Sequence, residues 1–211
     1  MTHGEKLFFV ATNGNAACFA YERLNVHRLA AQKQMVRINQ AIAVSFCPEP
    51  ATGATQEEMR SYVREGKQRM EPVLSEVHFY FASWSGCRNM LQILVGQPEF
   101  LEAKKVFDRY RREFDHYVAA RNTFEHFHDR LPGQPEESRV KEVLTDPKGS
   151  PHRIYAGFSK GEYVHSNMSW DVSKRSLELL EQYISEVLAV VHATIDEVFN
   201  RKFMGNFPRI S

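Results

Sequence analysis

The spacing of apolar side chains places the strongest constraint on the fold, because these residues recur every three or four positions along most of the chain. The clearest case covers residues 98–131, where the apolar positions are Phe107, Tyr110, Phe114, Tyr117, Val118 and Phe124. This spacing puts side chains on one face of an α-helix, whereas a half-buried strand alternates at every second residue. The pattern therefore predicts a mainly α-helical chain.

Two further helices are predicted before this one. Apolar residues at helical spacing fill residues 16–46, and prolines follow at positions 48 and 50. The next helix starts after Thr55, because a threonine hydroxyl caps a helix N-terminus well and the carboxylates of Glu57 and Glu58 suit its first turn. It runs to Gly96. Pro72 lies inside it and predicts either a kink or a division into two helices.

The composition changes at about residue 132, where prolines and glycines become frequent. Residues 154–158 and 162–165 have strand-like composition and flank Ser159-Lys160-Gly161, which predicts a β-hairpin. Asp171 or Ser173 is expected to cap a last helix, in which apolar residues recur from position 177 to 198. The predicted fold is mainly all-α: a single domain over residues 1–211, an antiparallel bundle of four to five helices with a small β-hairpin inserted at about 132–171.

The charge and the cysteine content limit the classes of function. The chain has 27 basic and 26 acidic residues and a net charge of +1, so an anion would have to bind at a local site. Three cysteines without short paired spacings favour reduced thiols over disulfides or a zinc ribbon. The apolar run at residues 7–11 is too short for a secretory signal, and no stretch approaches the roughly 20 apolar residues of a membrane span. We therefore expect a cytoplasmic protein without membrane partners.

Polar residues interrupt the apolar face near the end of the helix over residues 98–131. On a helical wheel centred on Phe114, Arg121 and Glu125 fall within about 20° of the centre, and His128 falls near −40°. Asn122 and His126 lie along one edge, at about 80° and 120°. A buried arginine needs a partner. One interpretation is structural: Arg121 and Glu125 form an ion pair one turn apart, and His128 packs over the core.

The other interpretation comes from a resemblance. Arg121 is followed by Asn122, and histidines stand five and seven positions after the arginine, at 126 and 128. This arrangement resembles the signature of the HEPN superfamily, in which an arginine and a polar residue precede a histidine on a long helix of a small bundle. Many HEPN proteins are metal-independent RNA endonucleases that act as dimers in toxin–antitoxin, defence or RNA-processing systems, and others bind without cutting.

The residue types suit RNA cleavage. Attack by a ribose 2′-hydroxyl needs a group that transfers protons near neutral pH, which histidine provides. It also needs a donor for the negative charge that grows on the phosphate, and arginine can hold two phosphate oxygens at once. The resemblance implies that Arg121 and His126 are catalytic, while Asn122 orients the histidine or the substrate. His128 is the alternative histidine, and Glu125 has a supporting role.

The resemblance also implies partners: an RNA, a second copy of the chain in a homodimer, and an antitoxin-like protein. No cofactor and no metal are predicted. Three Glu-x-x-His elements, beginning at Glu113, Glu125 and Glu162, match one part of di-iron sites. The first two are separated by 12 residues, about 18 Å along one helix, and therefore cannot hold one metal pair in one chain. The remaining alternative is a non-enzymatic helical interaction protein with a buried network of Arg121, Glu125 and His128.

Overall fold

The computed structural model describes residues 1–45, 53–125, 156–159, 161–165 and 168–204. Five α-helices account for most of these residues: α1 His3–Val10, α2 Gly14–Ser45, α3 Gln56–Val95, α4 Leu101–Glu125 and α5 Lys174–Phe199. A short 3-10 turn at Pro98–Phe100 precedes α4, and a π-helical turn at Asn200–Met204 follows α5. Three short strands, β1 Ala156–Ser159, β2 Glu162–His165 and β3 Met168–Asp171, form one antiparallel sheet in the order β1-β2-β3. The prediction of a mainly helical chain with a small hairpin is confirmed.

Helix boundaries follow the local signals in the sequence. Thr55 accepts a hydrogen bond from the Glu58 backbone N–H, and the Glu58 carboxylate accepts one from the Thr55 N–H, so that α3 begins with a reciprocal capping box. The helix continues without a break through Pro72 to a C-cap at Gly96, which excludes the division into two helices. Ser173 caps α5, rather than Asp171.

The helices α3 and α4 are antiparallel neighbours. Arg88 of α3 pairs with Asp115 of α4 at 2.9 Å, and further along α4 the Arg121 side chain reaches back to Ser85. Moving along α4 from Asp115 to Arg121, the contacts on α3 move back from Arg88 to Ser85, so the two helices run in opposite directions.

Helix α5 also packs antiparallel to α4, with the rings of Tyr110 and Tyr183 stacked at 4.2 Å, while Tyr80 of α3 bonds to Ser176 of α5. Helix α4 thus runs antiparallel to both α3 and α5, and α2 packs along α3 to complete the core.

The sheet covers the α3–α4 pair. Tyr163 of β2 and Trp170 of β3 are buried, with ring centroids 5.6 and 6.2 Å from that of Phe81 on α3. The Trp170 indole N–H donates to the His116 carbonyl of α4 at 2.9 Å. Gly161, in the turn between β1 and β2, has a φ of +82°, a region that favours glycine. The sheet is therefore fixed to α4 near the segment that carries Arg121.

Close packing between α2 and α3 depends on a glycine. A Cβ atom at Gly86 of α3 would overlap the imidazole ring of His27 on α2, whereas a Cβ at Gly66 in the same helix would meet nothing within 4 Å. We expect Gly86→Ala to lower the free energy of unfolding by about 1–3 kcal/mol through overpacking. Gly66→Ala should raise it by about 0.5–1 kcal/mol, because alanine favours helix. Denaturant unfolding measures both, and a stabilising Gly86→Ala would contradict the close approach.

A cluster of polar rings attaches α1 to the bundle. The imidazole of His192 on α5 forms a hydrogen bond of 3.0 Å with the Tyr21 hydroxyl of α2. The same ring stacks on the ring of His3, with centroids 4.0 Å apart. His3 Nε2 is 3.2 Å from the Asp196 carboxylate, which also receives the Lys6 ammonium at 2.6 Å. Burial lowers the pKa of His192, and the neighbouring His3 lowers it further. Burial and the neighbouring His3 therefore both disfavour a proton on His192.

Acid should therefore loosen α1. The pKa of His192 is lowered while α1 is packed on the bundle. When α1 is detached, His192 therefore binds more protons below about pH 6.5, so the packing of α1 weakens as the pH falls below that value. We expect the backbone amides of Leu7 and Val10 to exchange faster at pH 5.5 than at pH 7.5, after correction for intrinsic chemistry. His192→Phe, which retains a ring but cannot be protonated, should remove most of this difference. An unchanged pH dependence in that variant would show that His192 is not the responsible group.

None of the described helices combines the length and the hydrophobicity that a bilayer crossing requires.

Candidate functional site

Three residues of the motif lie in the last described turns of α4. Arg121, Asn122 and Glu125 all lie in this helix, which the structure describes up to Glu125. The two candidate histidines, His126 and His128, lie outside the described residues. The described part of the site therefore consists of the arginine, its helical neighbours and the elements that pack against them.

Arg121 and Glu125 form a two-pronged ion pair. The guanidinium donates from Nε to Oε1 and from Nη2 to Oε2, each at 2.8 Å. The hydrogen bonds to Glu125 raise the pKa of Arg121, and the same bonds lower the pKa of the Glu125 carboxyl. Both groups are thus charged at neutral pH, and the guanidinium is held in one orientation. The third guanidinium nitrogen, Nη1, is not used by Glu125.

The side chains of this pair are only partly covered. The Arg121 side chain is 36% exposed to solvent and the Glu125 side chain 33%. Asn122 is exposed. The helical wheel placed Arg121 and Glu125 in the middle of the buried face, and the structure places them at its margin. In these last turns the buried residues are Ala120 and Thr123. The buried face of α4 therefore turns gradually around the helix and, by this point, no longer lies directly in line with Phe114.

Helix α3 contributes two polar groups that sequence spacing did not reveal. Nη1 of Arg121 lies 3.4 Å from the hydroxyl of Ser85, and Nε2 of His78 lies 3.6 Å from Oε1 of Glu125. These α3 residues are seven positions apart, which is two helical turns, so they lie on one face toward α4. Only the antiparallel packing of α3 and α4 brings His78 near Arg121, more than 40 positions away in the sequence.

Aromatic rings support this cluster from the side of the sheet. The His78 ring stacks on Phe124, with centroids 5.0 Å apart and planes 11° apart. Phe124 in turn packs on Tyr163 of β2 at 5.2 Å. These contacts restrict where the imidazole can turn. We call Arg121, Glu125, His78 and Ser85, with Phe124 beneath, the Arg121 cluster.

The Arg121–Glu125 pair contributes little to stability by itself. Partly exposed ion pairs one helical turn apart are worth about 0.3–0.5 kcal/mol, and exposed pairs in general about 1 kcal/mol at most. Solvent reaches both side chains, so water and salt screen their attraction. We therefore expect the loss of Arg121 to cost the fold little stability.

Members of two Glu-x-x-His elements share one cavity of about 310 Å³, which Glu113 and His116 of α4 line together with Glu162 of β2. Glu113 and His116 are both exposed on α4, whereas Glu162 is exposed and His165 buried on β2. The element at Glu125 ends on His128, which lies outside the described residues. Within the part of the chain that the structure describes, no three histidine, cysteine, aspartate or glutamate side chains are grouped so as to hold a metal ion.

Comparison with known proteins identified no similar protein at a significant level. No protein-family model matches the chain, and neither the curated proteins nor the solved structures contain a significant match.

Proposed function

We propose that the protein is a HEPN-like RNA endonuclease or RNA-binding protein that acts at the Arg121 cluster without a metal ion. The observation that carries the proposal is the Arg121 guanidinium, which Glu125 orients through two hydrogen bonds while 36% of the side chain stays exposed. A guanidinium in this state can bind phosphate without first rearranging, since its orientation is already fixed.

Each motif residue has a role in this proposal. Arg121 binds the phosphate and stabilises the charge that grows on it during the reaction, and Glu125 holds Arg121 in place. His126 transfers the proton, with His128 as the alternative, because histidine titrates near neutral pH. Asn122, exposed one position after the arginine, orients the histidine or contacts the substrate. The net charge of +1 is consistent with a local RNA site and gives no general attraction to nucleic acid.

The resemblance to the HEPN superfamily extends this proposal to the cellular setting. We propose a cytoplasmic homodimer in which two Arg121 clusters share one RNA-binding cleft, within a toxin–antitoxin or defence system that includes an antitoxin-like partner. What supports this extension is the mainly helical bundle, with Arg121, Asn122 and Glu125 in the last described turns of the long helix α4.

One observation favours a second candidate function. Both oxygens of Glu125 are used by Arg121, and His78 stands next to them, so the cluster also suits a polar network inside a non-enzymatic interaction protein. Such a protein would use the end of the bundle to bind another protein. Cleavage and binding of RNA together distinguish the two candidates, because the interaction protein does neither.

The proposal is tested with the full-length protein and a fluorescently labelled single-stranded RNA in buffer that contains EDTA. We expect fragments that end in a 2′,3′-cyclic phosphate, and we expect no cutting at a position where the 2′-hydroxyl is replaced by hydrogen. A strand with 2′-deoxy sugars throughout should bind and remain intact. Cleavage that requires added metal ions, or that proceeds equally well in the 2′-deoxy strand, would contradict the mechanism. Absence of both cleavage and RNA binding would favour the interaction protein.

A further inference from the structure

We propose that a cavity between α4 and α5 binds a free basic amino acid, the class that includes lysine, arginine and ornithine. The cavity has a volume of about 310 Å³, near the lower end of the range for small-molecule sites. Side chains of α4, α5 and the sheet line it together with Trp84 of α3, and we call it the α4–α5 cavity. It shares no residue with the Arg121 cluster, so this inference does not rest on the proposed function.

Charges of both signs line the α4–α5 cavity. Three carboxylates, those of Glu113, Glu162 and Asp171, come from α4, β2 and β3. One guanidinium, that of Arg175, comes from the first turn of α5. None of these four side chains forms an ion pair or a hydrogen bond with a residue that the structure describes. Three negative charges and one positive charge favour a ligand that is a cation overall and also carries one negative group.

The negative charge of the carboxylates reaches the aromatic wall of the cavity. Burial raises the pKa of the Tyr183 hydroxyl, and the charge of Glu113 raises it further. Burial also raises the pKa of the Tyr117 hydroxyl, and the charges of Asp171 and Glu113 add to this effect. A field that opposes a new negative charge on these rings favours an ammonium group in the same space.

The indole N–H of Trp84 needs an acceptor. Trp84 is 1% exposed, lines the cavity, and forms no hydrogen bond through Nε1 with a described residue. Burial raises the pKa of the Tyr80 hydroxyl and the indole N–H lowers it, so the two groups are neighbours, but their geometry is not that of a hydrogen bond. That hydroxyl bonds instead to Ser176 at 2.8 Å. A buried donor without an acceptor is costly, so a ligand oxygen that reaches Trp84 is bound favourably.

A basic amino acid supplies each of the groups that the cavity requires. At neutral pH it carries two cationic groups and one carboxylate. Its carboxylate accepts hydrogen bonds from the Trp84 N–H and from the Arg175 guanidinium, which can hold both oxygens. Its cationic groups lie beside the three carboxylates, and its methylene groups pack on the ring of Tyr183. A simple diamine lacks the carboxylate, and an uncharged side chain lacks the second cation.

The ligand class is tested by isothermal titration calorimetry on the full chain. We expect L-lysine and L-arginine to bind with one molecule per chain. Cadaverine, which is lysine without its carboxylate, should bind at least about tenfold more weakly than L-lysine. Norleucine, which keeps the carboxylate and the α-amino group but has an uncharged side chain, should show a similar loss.

Variants at exposed positions locate the site without endangering the fold. Arg175→Gln should weaken the binding of L-lysine at least about tenfold and leave that of cadaverine unchanged, because cadaverine has no carboxylate. Glu113→Gln and Glu162→Gln should weaken the binding of both ligands. Glu178→Gln is the matched control, since Glu178 of α5 is 62% exposed, pairs with Lys174 and does not line the cavity. This control should bind L-lysine as tightly as the unaltered protein does.

Three results would overturn the inference. The first is the absence of binding by both L-lysine and L-arginine. The second is cadaverine binding as tightly as L-lysine, or an unchanged affinity for L-lysine in Arg175→Gln, because the site would then recognise a simple cation. The third is an equal loss of affinity in Glu178→Gln and Glu113→Gln, which would trace binding to the general negative charge of this surface. RNA cleavage at the Arg121 cluster is measured separately and is independent of all three.

Discussion

Replacing Trp84 with alanine should lower the free energy of unfolding by about 3–5 kcal/mol, the range for truncating a large buried aromatic residue. Trp84 is 1% exposed, stacks on Tyr117 with centroids 3.9 Å apart, and meets the edge of Phe114 at 5.6 Å. Its removal leaves a cavity between α3 and α4 that these rings cannot fill without leaving their own contacts. Urea unfolding followed by circular dichroism would measure the loss.

A matched truncation on the same helix provides the control. Phe79 of α3 is 50% exposed, so that Phe79→Ala removes an aromatic ring that is already largely in water. We expect this variant to change the free energy of unfolding by about 0.5 kcal/mol or less. Equal losses for Trp84→Ala and Phe79→Ala would contradict the packing of α3 against α4, and with it the placement of His78 and Ser85 beside Arg121.

The second large effect concerns activity. Arg121→Ala should slow RNA cleavage by about 100-fold or more, because one fixed donor to a developing oxyanion contributes about that factor. Stability should fall by less than about 1 kcal/mol, since the ion pair with Glu125 is partly exposed. For a chain of this length that corresponds to a melting temperature lower by about 2–4 °C at most. Single-turnover cleavage and thermal unfolding measure the two quantities on the same preparation.

Arg88 offers the matched control for Arg121. It is also followed by an asparagine, Asn89, and it also forms an ion pair, with Asp115 at 2.9 Å. No histidine follows at the spacing of the motif. We expect Arg88→Ala to cleave RNA at the normal rate and to lose a similarly small amount of stability. A comparable loss of cleavage in both variants would point to a general effect of positive charge on RNA binding.

Local signals predicted most of the helices. The capping residues Thr55 and Ser173 and the break at Gly96 act within one helical turn, so their effect can be read from neighbouring residues alone. The helix α1 was not predicted, although Thr2 and Glu5 form a capping box at its start. Eight residues are too few for the apolar spacing to stand out, and the helix depends on packing against α2 and α5.

The site could be predicted only in part, because its remaining contacts join distant segments. The spacing within α4 suggested that Arg121 and Glu125 meet, and they do. Nothing in the sequence near Arg121 pointed to His78, which reaches Glu125 only because α3 and α4 run antiparallel. The third strand, β3, was missed for the same reason: its pairing with β2 and the burial of Trp170 depend on contacts with α3 and α4.

We propose that Arg121 is held for contact with RNA and not for the stability of the bundle. The most direct test is the rate at which Arg121→Ala cleaves single-stranded RNA in EDTA, expressed per folded molecule and relative to the unaltered protein. We expect a reduction of about 100-fold or more while the protein stays folded. A folded Arg121→Ala variant that cleaves RNA at the rate of the unaltered protein would contradict the claim.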